Sequence, residues 1–196
     1  MAEELEKYVK QLEDNIWITR KCRINAAERL QANENFCRFI SIYYSILTTV
    51  YTLINMLILE DRIVDVFTLI ISIATTNFFL YLDTKNYKDK YLEFKENYIE
   101  LDKLLDKLNE AKLNETKLEN YQKIAREYNE LLKRVENHKT KDYFKLIIEQ
   151  NDENRRIKLK DKICYYAEEA FFILLKGTIL LLPIACGVFY LYINYV

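Results

Sequence analysis

Two rows of polar side chains run through the most apolar parts of this 196-residue chain. The first row lies in residues 39–59 and the second in residues 63–82, and both repeat at intervals of three and four residues. That spacing places each row on one face of a helix. The rows are Ser45, Thr48, Thr52 and Asn55, followed by Asp65, Thr68, Ser72 and Thr76.

Rows of this kind have two uses when they lie in lipid. Small and hydroxylated residues let helices pack closely and form hydrogen bonds with each other. The same residues line a water-filled path when several subunits surround it. Packing is the commoner use, but Asp65 favours the path, because an ionisable residue inside a membrane is a functional candidate by default. The sequence leaves both interpretations open.

Covalent chemistry has little support in the remaining residues. The only histidine is His138, and the sequence contains no glycine-rich phosphate loop and no G-x-S-x-G motif. The four cysteines (Cys22, Cys37, Cys164 and Cys186) form no CxxC pattern that would predict a zinc site. We therefore predict no catalytic, cofactor-binding or metal-ligating residues, and we interpret the cysteines as reduced thiols inside packed or membrane helices.

Glycine and proline, which favour turns, are almost absent from the chain. The two glycines are Gly177 and Gly187 and the single proline is Pro183, so residues 1–176 contain neither. Tight turns and strand connections depend on these residues for their unusual dihedral angles. The chain is therefore predicted to be all-α.

Three apolar runs are long enough to cross a bilayer as helices, which takes about 20 residues. They are residues 39–59, 63–82 and 170–196. The charged "LEDR" between the first two, which contains Glu60, predicts a short turn in water, since charges at mid-bilayer cost several kcal/mol. The alternative is one long buried core helix with a charged kink. We predict an all-α membrane protein with a transmembrane helical hairpin, long cytoplasmic helices and a third, C-terminal transmembrane helix.

Basic residues near the ends of the spans predict the orientation. They are dense before the first span, after the second and before the third, whereas the turn holds only Arg62. This bias predicts a cytoplasmic N-terminus, a cytoplasmic segment 83–169, and an external position for Val196. The basic residues are Arg20, Lys21, Arg23, Arg29 and Arg38, then Lys85, Lys88, Lys90 and Lys95, then Arg155, Arg156, Lys158, Lys160 and Lys162.

We divide the chain into a basic N-terminal amphipathic helix (1–38), the transmembrane hairpin (39–82), a cytoplasmic helical region (83–169) and the C-terminal transmembrane helix (170–196). The cytoplasmic region carries two heptad seams separated by a polar break, which predicts a coiled-coil-like antiparallel hairpin. Its seams are either covered within the chain or used to oligomerise. They are Tyr87, Tyr91, Phe94, Tyr98, Leu101, Leu105 and Leu108, then Tyr121, Ile124, Tyr128, Leu131 and Val135.

The order of these parts resembles a known family. A basic helix, "ITRKCRINAAERLQANENFCRF", leads into "ISIYYSILTTVYTLI", a short turn, a second span and a long helix. This is similar to the SLATT family of two-span effectors, which accompany SMODS nucleotidyltransferases and SLOG nucleotide sensors in bacterial conflict systems. The third span departs from the two-span pattern. The resemblance covers roughly residues 15–110 and rests on Arg20, Arg23, Ala27, Arg29, Leu30, Tyr43, Tyr44 and Ser45.

The resemblance implies a pore-forming effector of the inner membrane that kills or arrests an infected cell. It implies homo-oligomers and a partner from the same system: a nucleotidyltransferase, a SLOG-type sensor or a reverse transcriptase. Arg20, Arg23 and Arg29 are predicted at the membrane surface, where anionic lipid or the acidic cytoplasmic helices could pair with them. A net charge of -1 gives no reason to expect nucleic-acid binding. The alternatives are a membrane-anchored coiled-coil scaffold without conductance and, less favoured, a transporter accessory subunit.

Overall fold

The computed structural model describes residues 2–59, 61–114, 118–150 and 157–195, and these residues are almost entirely helical, with no strand among them. This confirms the all-α prediction. Glu60, Arg155, Arg156 and Val196, which the predicted turn and orientation used, lie outside the described residues. The helices are α1 (Ala2–Ile54), α2 (Arg62–Asp83), α3 (Tyr87–Leu113), α4 (Leu118–Arg134), α5 (Thr140–Gln150) and α6 (Leu159–Tyr195), with a π-helical turn (Asn55–Leu59) after α1.

The longest element, α1, joins the basic N-terminal segment to the first apolar run without a break. The proposed boundary between residues 38 and 39 therefore lies inside one helix of 53 residues. At a rise of ~1.5 Å per residue this helix is about 80 Å long. It carries both regions on one rigid axis.

Two helices lie end to end and antiparallel along α1. First α2 packs on its apolar half, and then α3 packs on its N-terminal half. Between them the chain turns at Asn86, which has φ 49 and ψ 41, the left-handed conformation. Asparagine adopts this conformation more readily than other non-glycine residues. It allows the sequence to break a helix in a region that has no glycine.

The two heptad seams form an antiparallel pair, α3 and α4, as predicted. Lys107 Nζ lies 2.8 Å from Glu127 Oε2, and Arg134 Nη1 lies 2.8 Å from Glu100 Oε2, which fixes the opposite directions of the two helices. Leu101 is fully buried. Seam residues of both helices pack in one core with α1 side chains; those from α1 are Val9, Leu12 and Ile16.

The third helix of this core is α1, which the heptad seams did not predict as their partner. Around its midpoint α1 is buried on nearly all sides, with Cys22, Ala26 and Ala27 inside. The small alanine side chains allow Phe94 of α3 to approach closely. We call residues 2–38 of α1, together with α3 and α4, the helical bundle. Much of both seams is therefore covered by α1 of the same chain.

The described residues include three helices that are long and apolar enough to cross a membrane. The first two spans meet in an antiparallel hairpin, residues 39–82, which we call the hairpin. The third, α6, belongs to a separate compact unit that begins at residue 147. It starts at Leu159, before the apolar run at 170, and contains Pro183. Membrane helices tolerate such a proline better than helices in water do.

Candidate functional site

The hairpin turn is held together by the side chain of Asn55, which is only 1% exposed. Its Nδ2 donates to the backbone oxygen of Asp61 at 3.0 Å and to Asp65 Oδ1 at 2.5 Å. Its Oδ1 accepts from the backbone N–H of Asp61 at 3.1 Å. Asp61 in turn caps α2, because its carboxylate accepts from the N–H of Ile63 at 2.8 Å. These bonds satisfy backbone groups at the start of α2, directly after the π-helical turn.

The eight residues of the two polar rows do not share one environment. Asn55 and Thr68 are buried between the helices and Thr48 is partly buried. The other five are exposed on the surface of the hairpin. We call these five the polar face: Ser45, Thr52, Asp65, Ser72 and Thr76.

The polar face lies to one side of the contact between α1 and α2. On α1 the partly buried residues include Tyr44 and Tyr51, and the polar row is rotated from them by about a quarter turn at ~100° per residue. On α2 the partly buried residues include Val64 and Phe79, and the row is offset in the same sense by about a sixth of a turn. Because α1 and α2 are antiparallel, rotations in the same sense about each helix axis place both polar rows on the same side of the helix pair. The bond between Asn55 and Asp65 is consistent with this, since it joins the two rows directly.

The hydroxyl groups of the hairpin find acceptors within their own helices. Thr52 donates to the oxygen of Thr48 at 2.8 Å, Thr76 donates to that of Ser72 at 2.8 Å, and Thr68 donates to that of Val64. Bonds of this type let a threonine lie in lipid without an unsatisfied donor. The second lone pair of each hydroxyl oxygen remains able to accept from water or from another subunit. The polar face could therefore contact either water or another subunit.

The three arginines predicted at the membrane surface lie within the bundle. Arg20 Nε is 2.8 Å from Asp102 Oδ1 on α3. Arg29 binds Asp142 of α5 with two parallel bonds, Nε to Oδ1 at 2.8 Å and Nη2 to Oδ2 at 3.0 Å. Arg23 is 1% exposed, so its side chain is not available at any surface.

Arg23 reaches the C-terminal end of α4. Its Nη1 and Nη2 donate to the backbone oxygens of Leu131 at 3.1 Å and Leu132 at 3.4 Å. The negative end of a helix dipole favours a cation in this position. Asn97 of α3 donates to the same Leu131 oxygen at 2.9 Å. Burial lowers the pKa of Arg23 from its usual range, opposed in part by Tyr128.

Two further titratable groups lie beside these arginines. Burial, helped by the charge of Asp142, raises the pKa of the Cys22 thiol to about 12, so the thiol stays protonated. Burial lowers the pKa of His138; the charge of Arg23 acts in the same direction, and Asp142 opposes it. These groups therefore favour their neutral forms inside the folded bundle.

A comparison with protein-family models decides what kind of protein carries this hairpin. The model described as "SMODS and SLOG-associating 2TM effector domain family 5" matches residues 5–189. The chain belongs to this family. The comparisons with curated proteins and with solved structures find no match.

Membership of this effector family confirms the resemblance seen in the sequence and makes the chain a membrane effector of the SLATT type. The family is a helical membrane domain and not a known enzyme family. Its description counts two transmembrane segments, which correspond in number to the hairpin, whereas this SLATT chain has a third candidate span within the matched range.

Sequence reasoning missed Asn25, Asn97 and Asp142, although all three are buried and form bonds between helices. Asp142 did carry a local signal. It lies in the first turn of α5, and its Oδ2 accepts from the N–H of Lys139 at 3.0 Å, as one half of a capping box. Its pairing with Arg29, 113 residues earlier, carries no local signal.

Proposed function

We propose that this chain is an inner-membrane effector of a bacterial conflict system that assembles through its polar face and conducts ions when triggered. The observation that supports this most is the position of the polar face, whose five residues lie on one side of the hairpin and are exposed there. Lipid does not solvate hydroxyl and carboxylate groups, so a second copy or water is the better neighbour. The family supports the effector role.

Assembly through the hairpin also agrees with the state of the bundle. Leu101 and Leu108 are fully buried against the same chain, so the centre of the first heptad seam is already occupied. Subunits that meet along the polar face would surround Ser45, Thr52, Ser72 and Thr76 with Asp65 near the outer end. A ring of Asp65 carboxylates at that level would favour cations.

The orientation and division of the chain belong to the same proposal. Following the basic residues at the span ends, the bundle lies in the cytoplasm and the turn at Asp61 faces outside. Residues 1–38 and 83–169 then form the cytoplasmic part, and residues 39–82 and 170–196 form the membrane part. The family description names SMODS and SLOG proteins as associates, and we propose that such a protein, or a reverse transcriptase of the same system, provides the trigger.

Adjacent threonines on α2 provide a matched test of the pore. Thr75 and Thr76 each donate to the carbonyl four residues earlier at 2.8 Å, but Thr75 is partly buried and Thr76 belongs to the exposed polar face. Thr76→Val should reduce ion leakage in cells that express the activated protein, measured with a membrane-potential dye. Thr75→Val should leave leakage unchanged.

Asp65→Asn sharpens the test, because the amide oxygen still accepts from Asn55 while the charge disappears. It should weaken the preference for cations without lowering the amount of protein in the membrane fraction. Toxicity with an intact membrane potential would contradict the pore and favour a membrane-anchored scaffold. A loss of protein with Thr76→Val, and no conductance to lose, would make the polar face a packing surface.

A further inference from the structure

Three residues fasten α1 to the start of α5. Arg29 forms its two bonds to the Asp142 carboxylate, and Asn25 Nδ2 donates to the Asp142 backbone oxygen at 2.9 Å. Asp142 is 2% exposed. We call Asn25, Arg29 and Asp142 the clasp. Bidentate pairs between arginine and carboxylate are among the strongest and most directional of side-chain contacts.

The clasp differs in kind from the other contacts of the bundle. The helices α3 and α4 are held to α1 by an apolar core that continues over many turns. In contrast, α5 is an 11-residue helix that buries only Leu146 and Ile147 among its large apolar side chains, and helices of that length are marginal on their own. Its first turn depends on Asp142, which both caps the helix and binds α1. Losing one carboxylate therefore weakens the helix and its attachment together.

The helix to which the clasp holds α5 is also the first membrane span. Arg29 lies 23 residues before Thr52 on α1, which is about 35 Å at ~1.5 Å per residue. No break in α1 separates them, so a shift or rotation at Arg29 reaches the polar face directly. The path through α3 and α2 is interrupted at Asn86.

We propose that the clasp is a releasable restraint: while Asp142 holds Arg29 and Asn25, α1 keeps the polar face in its resting position, and loss of the clasp frees it. This inference rests on the proposed function, because it takes the polar face as the part that assembles. It adds the contact at which a signal acts.

The full-length protein allows a direct test through Asp142→Asn, which keeps the shape of the side chain and removes its charge. Arg29→Gln is the second variant, since it breaks the pair but leaves the α5 cap intact. Lys145→Gln is the matched control. Lys145 pairs with Glu28 across the same two helices at 2.8 Å, but at an exposed position, where such pairs contribute little.

Three measurements are made on each variant. Hydrogen exchange followed by mass spectrometry reports on α5. Labelling of Thr52→Cys by a water-soluble maleimide, read at that position by peptide mass spectrometry, reports whether the polar face becomes wet. A potential-sensitive dye reports conduction in cells.

Asp142→Asn and Arg29→Gln should each raise the hydrogen-exchange rate in α5 and the labelling rate at position 52 at least tenfold. Both variants should also depolarise cells without a trigger. Lys145→Gln should change none of these three quantities.

The outcomes separate the two proposals. Unchanged exchange in α5 would overturn the clasp as a restraint. Faster exchange with unchanged labelling and an intact potential would also overturn it, because α5 would then be released without effect on the hairpin. Increased labelling with an intact potential would support the clasp and contradict the pore. Adding Thr76→Val to Asp142→Asn should suppress depolarisation while exchange in α5 stays fast.

Discussion

The two halves of α1 are parts of one helix with opposite surroundings. In the bundle, the residues near its midpoint are enclosed by other helices, and even the charged Arg23 is buried. In the hairpin, the same helix touches α2 along one side and leaves large side chains such as Ile46 and Leu53 exposed. The bundle therefore encloses an apolar interior, whereas the hairpin exposes large apolar side chains over much of its surface.

The physical reason lies in the two solvents. Water drives apolar side chains together, by roughly 25 cal/mol per Å² of buried apolar surface, and this favours a closed core. Lipid provides no such drive between helices, so contacts there depend on close packing and on polar pairs. The bond between Asn55 and Asp65 at the hairpin turn is a polar pair of that kind.

The largest expected effect is in thiol chemistry, where the interior of the bundle is compared with the exposed first turns of α6. Because the pKa of Cys22 is raised to about 12 and its side chain is fully buried, a maleimide should modify it at least a thousandfold more slowly at neutral pH than the exposed Cys164. Labelling rates measured by peptide mass spectrometry in detergent would check this. Rapid labelling of Cys22 in the folded protein would show that the bundle opens far more often than its closed core implies.

A second prediction concerns the core of the bundle. Leu101→Ala should destabilise the protein by about 2–5 kcal/mol, as is typical of a buried leucine that leaves a cavity. Leu92 on the same helix is 41% exposed, so Leu92→Ala should cost less than about 1 kcal/mol. Thermal unfolding followed by circular dichroism distinguishes the two. Equal losses would indicate that Leu92 is covered in the assembled protein.

A third prediction concerns the stability of the hairpin turn. Asn55→Leu removes the bonds that Asn55 forms with the Asp61 backbone and the Asp65 carboxylate, and it should weaken the turn by about 1–3 kcal/mol. Asn77→Leu is the matched control, because Asn77 is exposed and only donates to the Ile73 oxygen of its own helix. External protease applied to spheroplasts should cleave the Asn55 variant faster at the turn. If both variants behave like the wild type, Asn55 does not hold the turn.

Much of this fold could be predicted because its signals are local. The runs at 39–59 and 63–82 exceed the length of a span, and the seam through Leu101 and Leu108 repeats at heptad spacing. Both properties can be read within a few turns of helix. The partner of the seams could not be read in that way. The basic residues between positions 20 and 38 form a pattern that suits a membrane surface and a bundle equally well.

The arginines show which contacts the sequence does not predict. The sequence singles out Arg20, Arg23 and Arg29 as a basic row, but their acceptors are Asp102, backbone oxygens of α4, and Asp142, more than 80 residues away. Pairing over such separations depends on the topology, which no local pattern encodes. The backbone carbonyls that hold Arg23 have no sequence signature at all.

The smallest expected effect is a dependence of bundle stability on pH. Burial and the charge of Arg23 lower the pKa of His138, while Asp142 acts against them, so the folded protein favours the neutral imidazole. In the unfolded chain the imidazole has its ordinary pKa of ~6.5. Stability should therefore be constant above this value and fall as the pH drops through it, because the unfolded state binds the proton first.

His138→Gln should remove this decline between about pH 7 and 5, where carboxylates contribute little. Thermal unfolding of the wild type and of His138→Gln across that pH range tests whether stability falls or rises as the pH is lowered. A wild-type protein that gains stability at pH 5 would mean that His138 is protonated in the bundle and pairs with Asp142, the residue that the clasp needs.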